Sequence, residues 1–226
     1  FWGYPFWKKM LQLQRWNDSI PLTSLKRLAL STLGFSSHQR AGLAYEFLRR
    51  GAHAEPVFWG GTYLFTEYQK QHLLSARLRQ QFRYHTSFDV IQPIYDRFRE
   101  KAWEPSHLNW MSYIDLNLRL PELLLMRVDK MSMAVSLEAR VPFLDHKFVA
   151  LAMSIPERVK TRNGTLKYIL KKAARNQIPD HLIDRKKQGF GIPLFDWFQG
   201  RLGSLINTEV EQFCKETDFF DKDAVM

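Results

Sequence analysis

The 226-residue chain is 45% apolar and carries 33 Lys and Arg against 23 Asp and Glu, a formal charge of +10. This is the composition of a globular protein able to bury a core, and its single cysteine, Cys214, excludes an internal disulfide and a cysteine-pair metal site. The positive excess favours an anionic partner: nucleic acid, a membrane surface or a phosphate-bearing small molecule.

The opening FWGYPFW has no initiator Met, no basic n-region and no small-residue cleavage site, so it is expected to be an internal stretch of a longer protein rather than a signal peptide. Three- and four-residue apolar spacing predicts helices over 22–33 and 37–49, the second stopped by Arg49-Arg50-Gly51. GAHAEPVFWGGTYL, 51–64, reads as a loop, followed by helices over 66–84 and 88–102. From 105 to 136 the apolar spacing is strong and breaks only at Leu120-Pro121, which predicts a central buried helix pair.

A short irregular stretch, ARVPFLDH, precedes a helix over about 146–154 and another over about 165–176, in which Lys167, Lys171 and Arg175 form a basic row. The tail, 194–226, is weakly helical. No strand alternation is evident. No apolar run reaches the roughly 18–20 residues of a membrane span, since LPELLLM is soon followed by Arg127, Asp129 and Lys130. With one cysteine and no span, a cytoplasmic protein is expected.

The charge is concentrated. Between Pro156 and Lys187, ten Lys and Arg meet three acids. Only Tyr168 and Phe190 lie in or beside this run, so it lacks the interleaved aromatics of a nucleic-acid surface. Its last part, RKKQGFGIP (185–193), places Arg185, Lys186 and Lys187 beside Gly189 and Gly191. A glycine-hinged lysine suits a phosphate or pyrophosphate, because it can close over a leaving group as charge develops. Solvation of an ordinary helix face is the plainer reading of any one of these lysines.

In RVDKMSMAVSLEARVPFLDH, 127–146, the charges Arg127, Asp129, Lys130, Glu138, Arg140 and Asp145 sit among apolar residues. Charges in such a context are paired or functional. If the helix runs to about 136, Arg127 and Lys130 share a face and Glu138 and Arg140 fall at its end, beside a cleft or inside a buried salt-bridge network. Both readings stand on the residues alone. The seven histidines show no paired ligand spacing, and Ser36-Ser37-His38 has no nucleophile elbow.

That stretch, followed by GTLKYILKKA and IPDHLIDRKKQGFGIPLFDW, resembles the C-terminal synthetase domain of the glutamine-dependent asparagine synthetase family, densely over about 113–198 and weakly over 8–105. The resemblance implies a mainly helical fragment forming the C-terminal part of an α/β, adenine-nucleotide α-hydrolase-like (PP-loop) ATP pyrophosphatase domain. On that reading 8–105 is a divergent helical region, 106–198 holds the active-site part and 199–226 is a tail.

The resemblance further implies an ATP-dependent amide-forming ligase. A substrate carboxylate attacks the α-phosphate of ATP, pyrophosphate leaves, and ammonia from a glutaminase domain of the same full-length chain attacks the acyl carbon. Asparagine synthesis is the leading expectation; amidation of a cell-surface saccharide or other carboxylate and a non-enzymatic helical interaction module are the alternatives. Lys187 matches the phosphate-contacting lysine of R-x-K-x-G-F, and Arg127 an arginine near the nucleotide. Glu138 matches a position that is either catalytic or structural. Arg185, Lys167 and Arg140 are implied on the phosphate side, with Asp129, Asp145, Gly189 and Phe190 in support. The family's S-G-G-x-D-S phosphate loop and its acidic S-G-E-G-A-D stretch do not occur here, so ligands for Mg²⁺ are expected upstream and these residues hold half a site. No metal ligand is expected in this chain, a homodimer is an allowed assembly, and neither nucleic acid nor membrane is an expected partner.

Overall fold

The computed structural model describes residues 4–20, 22–32, 35–61, 64–186 and 193–225. They fall into two compact units, Phe1–Leu64 with Ser87–Ile183 and Phe65–Thr86 with Asp184–Met226. The first unit opens with α1 (Pro5–Ser19), α2 (Thr23–Thr32), α3 (Ser37–Ala41) and α4 (Leu43–Ala52), and the second contributes α5 (Glu67–Leu73) and α6 (Ala76–Gln81). The first resumes with α7 (Phe88–Lys101), α8 (His107–Asn117), a π-helical turn Leu120–Leu125, α9 (Met126–Met133) and a 3₁₀ turn Pro142–Leu144. It continues through α10 (His146–Ser154), α11 (Glu157–Lys160) and α12 (Tyr168–Ala174), and α13 (Asp180–Asp184) runs to its edge. The second unit ends with α14 (Leu194–Gln199), α15 (Arg201–Glu216) and α16 (Lys222–Val225). Helix dominates, as expected, and among the described residues β-pairing is limited to two isolated bridges, Leu74 with Phe220 and Arg162 with Thr165.

Local chemistry divides two of the predicted helices. Ser36 and Gln39 form a reciprocal capping box that starts α3, and Gly42, extended at φ −79° and ψ 154°, ends it and begins α4, so 37–49 is two helices. In the second unit Thr66 and Gln69 cap α5 in the same way. The chain then turns at Leu74, which pairs with Phe220, and Ser75 donates its N–H to Phe219 O at 3.0 Å while its hydroxyl caps α6. Arg77 forks onto Asp218, and Cys214 on α15 is buried.

The core of the first unit gathers Trp7, Met10 and Leu11 of α1, Phe58 and Trp59, Ile91 and Phe98 of α7, and Leu108, Trp110, Met111 and Ile114 of α8. Trp110 meets Tyr95 edge-on at 4.8 Å and donates its indole N–H to Phe58 O at 2.8 Å, so its polar edge is satisfied inside the core. Each aliphatic side chain buried here contributes about 1.5–3 kcal/mol over an exposed one.

Beside the core lies an ionic cluster. Arg50, 2% exposed, donates to Glu46 at 2.8 Å and to Val57 O at 2.8 Å, and its guanidinium lies 3.7 Å from the Trp59 ring centre. Arg49 bridges Glu46 at 3.0 Å and Glu55 at 3.1 Å. Burial pushes the Glu46 carboxyl up, but the two guanidiniums outweigh it and hold the group below its ordinary value.

The expected central helix pair is only half present. Helix α8 is central and buried, whereas α9 contributes no buried residue: Met131 is 75% exposed and Val135, just beyond the helix, equally so. The apolar residues of α9 stay largely exposed in this unit, and spacing alone carries no information about that.

Candidate functional site

The candidate residues of 127–145 hang on a succession of turns. Pro121 lies in the first turn of the π-helical segment, where a missing N–H costs nothing, and α9 follows without a break. Arg127, Asp129 and Lys130 are exposed on α9, and among the described residues none makes an ion pair or side-chain hydrogen bond. The helix ends at Met133, and the turn after it closes at Ser136, held in the left-handed region at φ 57°, after which Leu137 donates its N–H to Ser132 O at 2.9 Å. Glu138 and Arg140 then pair with each other on the surface, their side chains 67% and 83% exposed. No buried salt-bridge network forms at this turn, because both partners stay in water. Asp145 accepts from the N–H groups of Lys147 and Phe148 at 3.0 and 3.1 Å and so caps α10.

Lys167 also differs from its expected setting. The helix begins at Tyr168 and ends at Ala174, so Lys167 precedes it and Arg175 follows it, and the basic row is not one helical stripe. Lys167 is left-handed at φ 56° and ψ 32° after the Arg162–Thr165 turn, an uncommon conformation for a lysine that is characteristic of constrained positions. Its side chain is exposed and lines a cavity with Phe143 and Leu144, so the structure brings it to the loop just before Asp145. Arg185 and Lys186, in the second unit, are exposed. Lys187, Gly189 and Phe190 lie outside the described residues.

One lysine of the basic run escapes the sequence reading. Lys160 is 3% exposed and donates to Asn109 Oδ1 at 2.7 Å and Met153 O at 3.4 Å. Burial pushes its ammonium down to about 8, against the pull of Glu104 and Glu157. Asn109 in turn donates to the backbone oxygen and carboxylate of Glu104, and that carboxylate accepts from Glu157 N–H at 2.7 Å. The only signal for it in the sequence is a position at the end of a four-residue helix, too short to define a face.

Exposed cations and one carboxylate–guanidinium pair thus lie on an apolar surface over 127–145. A family model for asparagine synthase matches residues 1–226, and the chain belongs to that family. It is 32% identical over 228 residues to glutamine-hydrolysing asparagine synthetase 1 of Bacillus subtilis, an alignment covering all of this chain and 34% of that relative. A putative glutamine-hydrolysing asparagine synthetase of Mycobacterium tuberculosis is 38% identical over 121 residues, 54% of this chain and 18% of its own. That of Gallus gallus is 38% identical over 68 residues, 29% of this chain and 12% of its own. The chain thus spans about a third of the length of the relative it matches from end to end. No solved structure matches it.

Proposed function

We propose that residues 1–226 form the C-terminal part of one synthetase domain in an ATP-dependent amide-forming ligase that makes asparagine from aspartate, with ammonia released from glutamine elsewhere in the same full-length protein. The family match over the entire chain carries this reading. The preceding part of that protein supplies the parallel sheet of an adenine-nucleotide α-hydrolase-like domain, with the phosphate loop at its strand ends. It also covers the apolar face of α9. The cytoplasm, where ATP and glutamine are at hand, is the proposed compartment.

In the first step an aspartate carboxylate oxygen bonds to the α-phosphorus of ATP, the bond from that phosphorus to the bridging oxygen breaks, and pyrophosphate leaves. Ammonia then bonds to the acyl carbon, AMP leaves, and the ammonium proton is released. Lys187 neutralises the departing pyrophosphate, with Arg185 and Lys167 raising the local potential. Arg127 faces the nucleotide, and Glu138, drawn from its surface pairing with Arg140, takes up the proton from the incoming ammonia. Asp145 holds the start of α10, and Asp129, Gly189 and Phe190 act in support. Mg²⁺ would neutralise phosphate charge. Its carboxylate ligands are placed in the preceding part of the protein.

The test is pyrophosphate release by the full-length protein given ATP, Mg²⁺, ammonia and either aspartate or other carboxylates. Release with aspartate is expected. Release only with another acid would move the substrate assignment, and none with any acid would overturn the enzymatic reading. Lys187→Ala should lower kcat by about 10²–10³-fold with little change in nucleotide affinity, since the lysine acts on charge that develops in the transition state. Unchanged turnover would remove Lys187 from the mechanism.

A further inference from the structure

A partly enclosed cavity of about 340 Å³ lies within the first unit, apart from the exposed face of α9. It is more than twice the roughly 150 Å³ that takes up a benzene molecule. Its body is apolar, formed by residues such as Leu116, Leu120, Phe143, Val149, Ala152 and Leu170. Its polar groups come from two directions. Ser112, Asp115 and Arg119 recur at three- and four-residue spacing along α8 and the turn after it, while Lys160 ends α11 and Lys167 immediately precedes α12.

The charges in this wall do not cancel. Asp115 accepts from Gly61 N–H at 3.1 Å and lies 3.7 Å from Arg119, so the single acid is already committed. The Arg119 guanidinium rests over the Tyr4 ring at 5.0 Å, while its Nε is buried with no hydrogen-bond partner among the described residues. A buried N–H without a partner is costly unless a ligand or water satisfies it. The Lys160 ammonium, almost wholly buried, has three N–H groups and two acceptors, Asn109 Oδ1 and Met153 O. One donor is therefore left over in a cavity wall that carries excess positive charge.

We infer that this cavity binds a small amphipathic carboxylate, its aromatic or aliphatic body against the leucines and Phe143 and its anionic head taken by Lys160 and Arg119, with Lys167 at the rim. The head is a carboxylate because a few donors at the edge of an apolar space satisfy a monoanion, whereas a phosphate dianion would be left with unpaired charge. The inference does not depend on the ligase activity: it rests on the cavity and its donors.

The experiment is calorimetric titration of the full-length protein with three ligands sharing one body, 3-phenylpropanoate, 3-phenylpropanol and 3-phenylpropylamine. Saturable binding of the carboxylate is expected, about tenfold tighter than the alcohol, with none of the amine. Ala152→Phe, which puts a phenyl ring into part of the cavity, should weaken the carboxylate at least about tenfold. Lys160→Met should weaken the carboxylate about tenfold and leave the alcohol unchanged. No saturable binding, as when a side chain from the preceding part of the protein occupies the space, overturns the inference. So does equal binding of all three ligands, or binding unaffected by Ala152→Phe. Pyrophosphate release on the same samples keeps the two readings separable, because loss of activity with carboxylate binding intact leaves this one standing.

Discussion

Helices α8 and α9 are close in sequence, both rich in large apolar residues, and opposite in fate. In α8, Leu108 and Ile114 are fully buried, and even Asn109 is 1% exposed, whereas Met131 in α9 is 75% exposed. The same contrast separates two carboxylate–guanidinium pairs. Glu46 and Arg50 pair in the interior, while Glu138 and Arg140 pair in water. An exposed ion pair contributes about 0–1 kcal/mol, so the second is free to exchange partners in a way the first is not. Packing in the first unit is invested in α1 and in 43–117, and the face of α9 is left exposed.

The contrast can be broken at several points. Glu46→Gln leaves the buried Arg50 guanidinium without its carboxylate and should cost about 3–5 kcal/mol in denaturant unfolding, whereas Glu138→Gln should leave stability nearly unchanged. Comparable losses at both sites would abolish the distinction. Ile114→Ala opens a cavity in the packed core and should cost about 3 kcal/mol by the same measurement.

Lys160 sharpens the comparison through pH. Folded Lys160 releases its proton near 8, the unfolded chain only near 10.5. Between those values the unfolded state binds more protons, so stability rises with pH. Measured against Lys160→Met, the parent should gain about 2–3 kcal/mol from pH 7.5 to 10.5, and a flat difference would place the ammonium in water. The smallest effect is at Met131. Met131→Ala should change the stability of the 226-residue chain by no more than about 0.5 kcal/mol, and that of the full-length protein by about 2 kcal/mol if the preceding part covers α9.

Much of the local structure was legible. The helices over 22–33, 88–102 and 146–154 form as Thr23–Thr32, Phe88–Lys101 and His146–Ser154, because their apolar spacing agrees with the caps and breaks around them. The failures have local causes: a capping box and an extended Gly42 divide 37–49, a bridge to Phe220 divides 66–84, and a left-handed Lys167 delays α12. Of the candidate site, the residue types and their order were legible in 127–146 and 185–193, and the family match extends over both. The burial of Lys160 was not, since it ends on Asn109, 51 residues away.

By itself, the sequence determined that this is a helical chain whose positive charge is concentrated in one region, because helix periodicity, caps and charge runs are encoded within a few turns. Only the tertiary structure decided which apolar face is interior, which lysine is desolvated and which ion pair is structural. Burial depends on what the rest of the chain places against a surface, and no local pattern contains that.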